Sequence, residues 1–390
     1  MPHRPTRSAA PRIRAALGAA VAALAVLGPW SAPPAAARTV ESEQHAFTVT
    51  VLTDQLSYPW GLTFLPDGAA LITERTGALR LWADGALDPR PIANVPEVWS
   101  TGQGGLLDVV AHPAFAETGW IYLSFSHPDG RGAAHTRVVR AVFDRAAHAL
   151  RDVTVIVDAV PVGRGGRHFG SRLAFGGDGT LYVTTGERGD RPRAQDLTDL
   201  AGKLLRLNPD GSVPEDNPFV GRDDARPEIY AYGTRNAQGM DAHPDTGVIW
   251  FHEHGPRGGD ELNVAEAGAN YGWPVITYGM NYNGTPMGEG THKPGMEQPV
   301  YYWDPSIAPS GMTIYDGDAF PDWRGDVFVG ALKYRLLARL EMEDGEVIAE
   351  ERLLKDALGR IRAVEVGPDG ALYLLTDAAD GRLVRLAPPD

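Results

Sequence analysis

Hydrophobic and polar positions repeat along the chain as a unit of two strands. In each unit an apolar strand leads into a turn rich in Pro, Gly and Asp, and a second apolar strand follows. Short apolar runs bounded by such turns predict antiparallel β-strands. Six units follow one another about 45 to 75 residues apart, and their first strands begin at Trp60, Leu106, Ser171, Gly239, Gly311 and Ile361.

Five of the units continue into a third short strand, predicted at residues 79–82, 138–142, 204–207, 336–340 and 383–386. The period is too long for a leucine-rich repeat and is typical of a propeller blade. One such sheet cannot bury both faces, whereas six sheets stacked around an axis bury them and leave few edges exposed. The sequence therefore predicts an all-β fold, a six-bladed β-propeller. A β-sandwich explains the strands but not their sixfold recurrence.

Residues 1–37 are predicted to be a signal peptide and not part of the fold. A basic stretch over residues 4–14 precedes an apolar run over 15–28 and small residues that end at Ala37. This is the order of a secretory signal, and the apolar run is short for a membrane span. We expect residues 38–390 to form a single exported propeller domain, periplasmic or extracellular, without stable membrane insertion. An uncleaved membrane anchor is the alternative.

Composition and charge narrow the classes of function. The chain has 43% hydrophobic residues, enough for a large core, and no Cys, so no disulfide stabilises it. Its formal net charge is −14, and residues 1–37 contain four Arg and no acidic residue, so the remainder carries about −18. Nucleic acid and anionic lipid surfaces are therefore not expected as partners, because their phosphates are repelled.

Several polar residues occupy equivalent positions, six to ten residues before the turn of their unit: Gln103, His168, Arg235, Asn236, Arg360 and Arg362. Equivalent positions in different blades lie on a ring about the propeller axis, so these side chains are predicted to converge at one end of the channel. With Lys333, which follows a strand of the fifth unit, they predict a pocket for a polyanion, since guanidinium groups bind carboxylates in a bidentate manner. Solvated surface charges are the alternative for the Arg and Lys residues taken singly.

His168 lies among glycines in a loop that enters a strand. An isolated His is usually structural or solvated. At the mouth of a cationic channel, however, a side chain whose pKa is ordinarily near neutral is a candidate general base.

The segment over residues 252–262 is the most polar and Gly-rich part of the chain, and it suggests a metal site. Zinc on His252, Glu253 and His254 is one interpretation, but the two His side chains point to opposite faces if the preceding strand continues. Calcium on Asp260, Glu261 and backbone carbonyls suits the oxygen ligands better. A Gly-rich turn without metal is the third interpretation.

Aromatic residues cluster after this segment, at Tyr271, Trp273, Tyr278, Tyr282, Tyr301, Tyr302 and Trp303. Aromatic rings exposed beside a pocket stack on a flat cofactor or on a sugar, whereas buried rings form core. Both alternatives remain open at this point.

From about Pro59 to its end, the chain resembles the soluble, PQQ-dependent aldose sugar dehydrogenases, relatives of soluble quinoprotein glucose dehydrogenase. The resemblance rests on several long motifs in order: 102–109 (GQGGLLDV), 168–170 (HFG), 191–196 (RPRAQD), 232–240 (YGTRNAQGM), 253–261 (EHGPRGGDE), 270–274 (NYGWP), 330–333 (GALK) and 360–362 (RIR).

The resemblance implies a role for each matching residue. His168 matches the general base that takes a proton from the anomeric hydroxyl of the sugar, and Gln103 matches a residue beside the cofactor and the substrate. The residues that match the cofactor-binding set are Arg235, Asn236, Tyr282, Ala331, Leu332, Lys333, Arg360, Ile361 and Arg362. The carbonyls of Gly255 and Pro256 match ligands of a calcium at the quinone, and Glu261 and Tyr271 match a second, structural calcium site.

The implied activity is oxidation of aldoses at C1 to aldonolactones, with PQQ and Ca²⁺ as cofactors and an external electron acceptor (a cytochrome, a quinone or a dye). The implied state is a monomer. The soluble glucose dehydrogenase branch places an Asp directly before the catalytic His, whereas this chain has Arg167 there, which puts glucose specificity in doubt. A calcium-dependent lactonase and a non-enzymatic binding propeller are the rival hypotheses, because a fold does not fix a function.

Overall fold

A computed structural model describes residues 38–389 of the chain. They lie within a compact unit that spans Ala35–Asp390. The predicted signal peptide, residues 1–37, lies outside the described residues. Among those that are described, no helix is both long enough and apolar enough to cross a membrane.

The strands of the described residues form six antiparallel sheets, which confirms the predicted six-bladed propeller. The chain enters through β1 (Arg38–Glu41) and β2 (Ala46–Leu56). Blade 1 consists of β3 (Pro59–Phe64), β4 (Ala70–Glu74), β5 (Ala78–Ala83) and β6 (Ala86–Leu87). Blade 2 consists of β7 (Leu106–Ala111), β8 (Trp120–Pro128), β9 (Ala133–Asp144), β10 (Ala149–Asp158) and the short β11 (Gly163–Arg164), which pairs with β9. Blade 3 consists of β12 (Gly170–Phe175), β13 (Leu181–Thr185), β14 (Lys203–Leu207) and β15 (Ile229–Tyr232).

The second half of the chain repeats the arrangement. Blade 4 consists of β16 (Ala237–Ala242), β17 (Ile249–Glu253), β18 (Asp260–Val264) and β19 (Tyr301–Trp303). Blade 5 consists of β20 (Pro309–Ile314), β21 (Val327–Ala331), β22 (Leu336–Glu343) and β23 (Glu346–Leu353). Blade 6 combines β24 (Ile361–Val366), β25 (Leu372–Thr376) and β26 (Gly381–Ala387) with β2 and β1 on its outside. Short helical segments are α1 (Phe115–Thr118) and two 3-10 turns, Arg191–Gln195 and Pro321–Trp323.

The two ends of the propeller meet in blade 6. Strand β2 pairs antiparallel with β26, with Thr48 opposite Ala387. Phe47 is fully buried beside this pairing, and its ring packs edge-on against that of Trp323, with 5.9 Å between the centroids. Because a strand from the start of the described chain pairs with the last strand, main-chain hydrogen bonds within blade 6 close the ring.

Burial falls from the axis outward, as expected for sheets stacked face to face. All six residues of the innermost strand β20 are buried. In the outer strand β10, residues 151–155 are all exposed. The apolar clusters lie between neighbouring blades, such as the one that blades 1 and 2 share around Leu79, Leu106 and Phe125. The sequence repeat therefore follows from each blade needing its neighbours to cover its faces.

The innermost strand of every blade has a break in register close to its start. The breaks lie after Pro59, Leu106, Gly170, Ala237, Pro309 and Ile361. A β-bulge bends its strand and redirects the side chains beside it. Four residues within these breaks, Trp60, Leu107, Gln238 and Arg362, line the central cavity described below. The bulges are therefore the local feature that aims side chains into the channel.

Blade 4 corrects one detail of the sequence analysis, which found no third strand in that unit. Strand β18 begins inside the Gly-rich segment, and it pairs with β17 so that Glu261 lies opposite Glu253. The first two residues of β18 are acidic, so the apolar run that marks the third strand in the other blades is missing. The turn that remains between β17 and β18 covers only residues 254–259.

Candidate active site

A cavity of about 640 Å³ occupies the channel at the end where the innermost strands begin, and all six blades contribute to it. It brings together Gln103, Asn236, Leu332, Lys333, Arg360 and Arg362 from the predicted set. The other residues that line it are Trp60, Arg75, Leu107, Phe169, Gly170, Gln238, His254, Ala308, Arg335 and Asp377. Four of the six residues predicted to converge from equivalent positions therefore line one cavity, whereas His168 and Arg235 are not among its lining residues.

The cavity is strongly cationic, with Asp377 as its one lining carboxylate among the described residues. This carboxylate accepts hydrogen bonds from Arg360, at 2.9 Å from Nη2, and from Arg362, at 3.2 Å from Nη2. Burial raises the pKa of Asp377, but the Arg362 and Arg360 guanidinium groups outweigh burial and hold that pKa below its ordinary value. Arg362 is itself buried, and its Nε has no hydrogen-bond partner within residues 38–389. A buried donor without a partner favours an acceptor brought by a ligand.

His168 lies in a backbone conformation that is unusual for a residue other than Gly, with φ at +55°. Its main-chain N–H donates to the side-chain oxygen of Gln103 at 2.7 Å. Its Nδ1 lies 2.5 Å from the Glu187 carboxylate. Because a carboxylate accepts the Nδ1 proton, Nε2 keeps its lone pair, and Nε2 makes no hydrogen bond within the described residues. The geometry is that of an oriented imidazole base.

Two opposing effects set the pKa of His168. Burial lowers this pKa, and the charge of Arg235 lowers it further, while the hydrogen bond to Glu187 raises it. The net direction is downward. Burial raises the pKa of Glu187, but its hydrogen bond to His168 outweighs this, so the pKa of Glu187 lies below its ordinary value. The pair is therefore an ionised carboxylate beside a neutral imidazole, which is the form that accepts a proton.

Arg188, the residue after Glu187, holds the backbone of the His168 loop. Its guanidinium donates to the carbonyl oxygens of Arg167 and Gly165, the latter at 2.8 Å. Its Cζ also lies 3.4 Å from the ring centroid of Phe169. Two consecutive residues therefore restrain His168, one through its ring and the other through its backbone. The sequence analysis missed both, because neither stands in the register shared by the other polar residues.

Arg235 and Asn236 directly precede the innermost strand of blade 4, β16. Their main-chain N–H groups both donate to one oxygen of Glu253. The Asn236 side chain accepts the Gly170 N–H at 3.1 Å, and the guanidinium of Arg235 lies 5.4 Å from the centroid of the Trp273 ring. Arg235 lines not the main cavity but a small neighbouring one.

This second cavity contains the predicted metal residues Gly255, Glu261 and Tyr271, together with Glu253. Burial raises the pKa of both Glu253 and Glu261, and the charge of Glu253 raises the pKa of Glu261 further. Two ionised carboxylates opposite each other on paired strands repel, and a cation between them would offset that repulsion. Their oxygen chemistry fits calcium.

The turn between β17 and β18 directs carbonyl oxygens inward. A Cβ atom on Gly255 would lie 2.1 Å from the Gly258 oxygen and 2.3 Å from the Gly259 oxygen. Pro256 is buried beside Gly279 and does not line this cavity. Within residues 38–389, no group of three or more His, Asp or Glu side chains that could hold a metal ion is present. A cation here would depend on two carboxylates and on main-chain oxygens.

Besides Arg235, three predicted cofactor residues are not among those that line the main cavity. Ala331 and Ile361 are fully buried and pack in the hydrophobic clusters between blades. The side chain of Tyr282 is 72% exposed, outside the residues that line the cavity. The sequence left open whether the aromatic residues lie beside a pocket or in the core. Tyr271, Trp273 and Trp303 are buried and belong to the core.

The fold and this site define a class of protein, a six-bladed β-propeller with a cationic axial cavity and an oriented imidazole beside it. The chain belongs to the enzyme family described as Glucose / Sorbosone dehydrogenase, whose sequence model matches residues 56–385.

Individual relatives agree with this assignment. The chain is 46% identical to the aldose sugar dehydrogenase YliI of Escherichia coli over 87% of its own length and 92% of the relative. It is 27% identical to quinoprotein glucose dehydrogenase B of Acinetobacter calcoaceticus, over 87% of each chain. A structure of the PQQ-bound form of the aldose sugar dehydrogenase from Streptomyces coelicolor superposes with a TM-score of 0.72 at 29% identity, covering 87% of this chain and 98% of that one.

Proposed function

We propose that the protein oxidises aldose sugars at C1 to aldonolactones, with PQQ as the electron acceptor in the site and Ca²⁺ as a second cofactor. The observation that carries the proposal is the His168–Glu187 pair directly beside a cavity lined by Lys333, Arg360 and Arg362. Phe169 and Gly170, which follow His168 in the chain, are part of the cavity wall. The E. coli relative is named an aldose sugar dehydrogenase, and the Streptomyces structure is described as the PQQ-bound form.

The main cavity suits a planar tricarboxylate such as PQQ. Lys333, Arg360 and Arg362 line it, Arg235 lies beside it, and the unpartnered Nε of Arg362 offers one more donor. Guanidinium groups pair with carboxylates through two parallel hydrogen bonds. Asn236 and Gln103 supply neutral polar groups on the wall. We assign Ala331 and Ile361 main-chain contacts only, because their side chains are in the core.

When bound, PQQ supplies an ortho-quinone that accepts hydride. The chain itself supplies position and a base. Nε2 of His168 takes the proton of the anomeric hydroxyl, and Glu187 stabilises the imidazolium that results. Gln103 holds the His168 main chain and presents its amide on the cavity wall. Burial of His168 keeps its imidazole neutral near neutral pH, so the base is ready before the sugar arrives.

We assign calcium to the second cavity and to the turn beside it. Glu261, with Glu253 opposite, supplies carboxylate oxygens, and the main chain of Tyr271, Gly255 and Pro256 supplies carbonyls. Glu253 also accepts the N–H groups of Arg235 and Asn236. A cation on Glu253 would therefore be linked through one side chain to the start of the cofactor-binding strand.

The rival hydrolase hypothesis is less well supported. A calcium-dependent lactonase needs carboxylates around a metal in the central cavity. The single carboxylate that lines it within residues 38–389, Asp377, is already bound to two guanidinium groups. Export through residues 1–37, a monomeric state and an external cytochrome, quinone or dye as the final acceptor belong to the proposal as well.

The test uses purified protein stripped with a chelator and reconstituted with PQQ, with Ca²⁺, or with both. We expect dye reduction with glucose, xylose or maltose only when both cofactors are present. A His168→Gln variant should bind PQQ, seen by its absorbance, and lose about 10²- to 10⁴-fold in kcat. Full turnover by that variant would refute the assignment of the base. Absence of PQQ binding and of dye reduction in the wild type would refute the function.

A further inference from the structure

Two arginines on the His168 side of the cavity have no role in the proposal above. Arg75 is half-buried, lines the cavity and donates from Nη1 to the Gly102 carbonyl at 2.9 Å. Arg167 is exposed and directly precedes His168, and a Cβ atom on Gly189 would lie 2.4 Å from its Nε. Neither guanidinium forms an ion pair with a carboxylate of residues 38–389. We call these two residues the arginine rim.

The rim is continuous with the catalytic groups. The main-chain N–H of Gln103 donates to the Gly166 carbonyl at 2.7 Å, and the Gln103 side chain accepts the His168 N–H. Gly102 accepts the hydrogen bond from Arg75, and the next residue, Gln103, is bonded to the loop that carries Arg167. Arg75 therefore lines the cavity next to the Gln103 loop, and the guanidinium of Arg167 lies against Gly189, close enough to His168 for its charge to lower the pKa of that imidazole.

The other cations at the cavity already have partners or an assigned role. Arg360 and Arg362 share Asp377, and Arg335 is paired with Asp356 at 2.7 Å. Lys333 and Arg235 are assigned to PQQ by the proposed function. The two rim guanidinium groups have no carboxylate within ion-pair distance among residues 38–389, although the net charge of the protein is −14.

We infer that the preferred substrate is an aldose that carries an anionic group, a carboxylate as in a uronic acid or a phosphate as in a sugar phosphate. This inference rests on the proposed function. The anomeric hydroxyl lies at His168 and the anion binds the rim, since guanidinium groups recognise carboxylate and phosphate alike. The C1–H electron pair passes to PQQ, the hydroxyl proton passes to His168 and C1=O forms. A uronic acid thereby gives an aldaric acid lactone, with its carboxylate unchanged.

The experiment compares kcat/KM of the PQQ- and calcium-loaded enzyme for glucose, glucuronate and glucose 6-phosphate by dye reduction. We expect at least one anionic sugar to be preferred at low ionic strength, and the preference to shrink in 0.15 M salt, where the Debye length is about 8 Å. The values of kcat/KM for glucuronate and for glucose 6-phosphate show whether the enzyme prefers a carboxylate or a phosphate. Arg75→Gln and Arg167→Gln should each reduce the preference about twofold to fivefold, as expected for an exposed ion pair.

Arg38→Gln provides a matched control, because Arg38 is an exposed cation on the outermost strand of blade 6. It should leave the ratio of kcat/KM for glucuronate to that for glucose unchanged. A second readout avoids turnover: methyl glucuronoside has no free anomeric hydroxyl, so its calorimetric Kd reports binding alone. It should bind the loaded enzyme more tightly than methyl glucoside does, and the double rim variant should lose that difference.

The outcomes separate the two proposals. If glucose is oxidised with both cofactors but no anionic sugar is preferred, the substrate inference is wrong and the proposed function stands. If an anionic sugar is preferred and the preference survives in the double rim variant, the assignment of the anion to the rim is wrong. If no sugar is oxidised and PQQ does not bind, the proposed function itself fails.

Discussion

The contact between His168 and Glu187 gives the sharpest prediction, and Glu187→Gln is the variant that isolates it. The Gln side-chain oxygen still accepts the Nδ1 proton, so the imidazole keeps its tautomer while the negative charge is removed. A hydrogen bond to a charged group is worth about 1.5–3 kcal/mol. If that energy is gained only once His168 is protonated, kcat falls about 10- to 100-fold.

The pH profile distinguishes this mechanism from a simple loss of packing. Turnover requires neutral His168, so kcat/KM falls as the pH drops through its pKa. Burial lowers that pKa and the Glu187 hydrogen bond raises it. Removing the charge therefore lowers the pKa further, and the acidic limb of the profile should move to lower pH while the plateau drops.

The assay is dye reduction by the PQQ- and calcium-loaded enzyme across the pH range, with PQQ absorbance as the check on cofactor binding. His168→Gln combined with Glu187→Gln should be no slower than His168→Gln alone, because the carboxylate acts through the imidazole. An unshifted acidic limb, or additive losses in the double variant, would refute the reasoning.

Three further predictions concern the cofactors and the closure of the ring. Arg362→Met should weaken PQQ binding at least about tenfold in a direct titration, because it removes a buried guanidinium; an unchanged Kd would place the cofactor elsewhere. Calcium at 100 times its Kd should add about 2.7 kcal/mol to the free energy of unfolding and thereby raise Tm. Glu261→Gln should abolish this rise in Tm, and persistence of the rise would exclude the second cavity as the calcium site. Phe47→Ala should cost about 3–5 kcal/mol in urea unfolding. The exposed Val153→Ala should change stability by no more than about 0.5 kcal/mol, and equal losses in these two variants would contradict closure through β2.

The spacing of polar residues to the turns predicted part of the site correctly. Gln103, Asn236, Arg360 and Arg362 were placed at one end of the channel from their spacing to the turns, and they line one cavity. The spacing works because each blade repeats the same strand and turn. The reasoning failed where the position of a residue depends on a neighbouring loop. Glu187 and Arg188 follow strand β13 and reach His168 across the start of β12, which spacing to the turns does not encode.

The sequence by itself determined the architecture, because the repeat of apolar strands and Pro/Gly/Asp turns dictates sheets that must bury both faces against neighbours. It also determined the cationic character of the site, since the charges stand in the repeat register. Only the tertiary structure decided which groups are restrained and which stay free. The Nδ1 contact of His168 and the pairing of Asp377 with Arg360 and Arg362 each join the two ends of one inner hairpin, and the bond of Arg75 to the Gly102 carbonyl joins blade 1 to the loop before blade 2. The conformation of these loops sets the distances, and the distances decide the chemistry of the site.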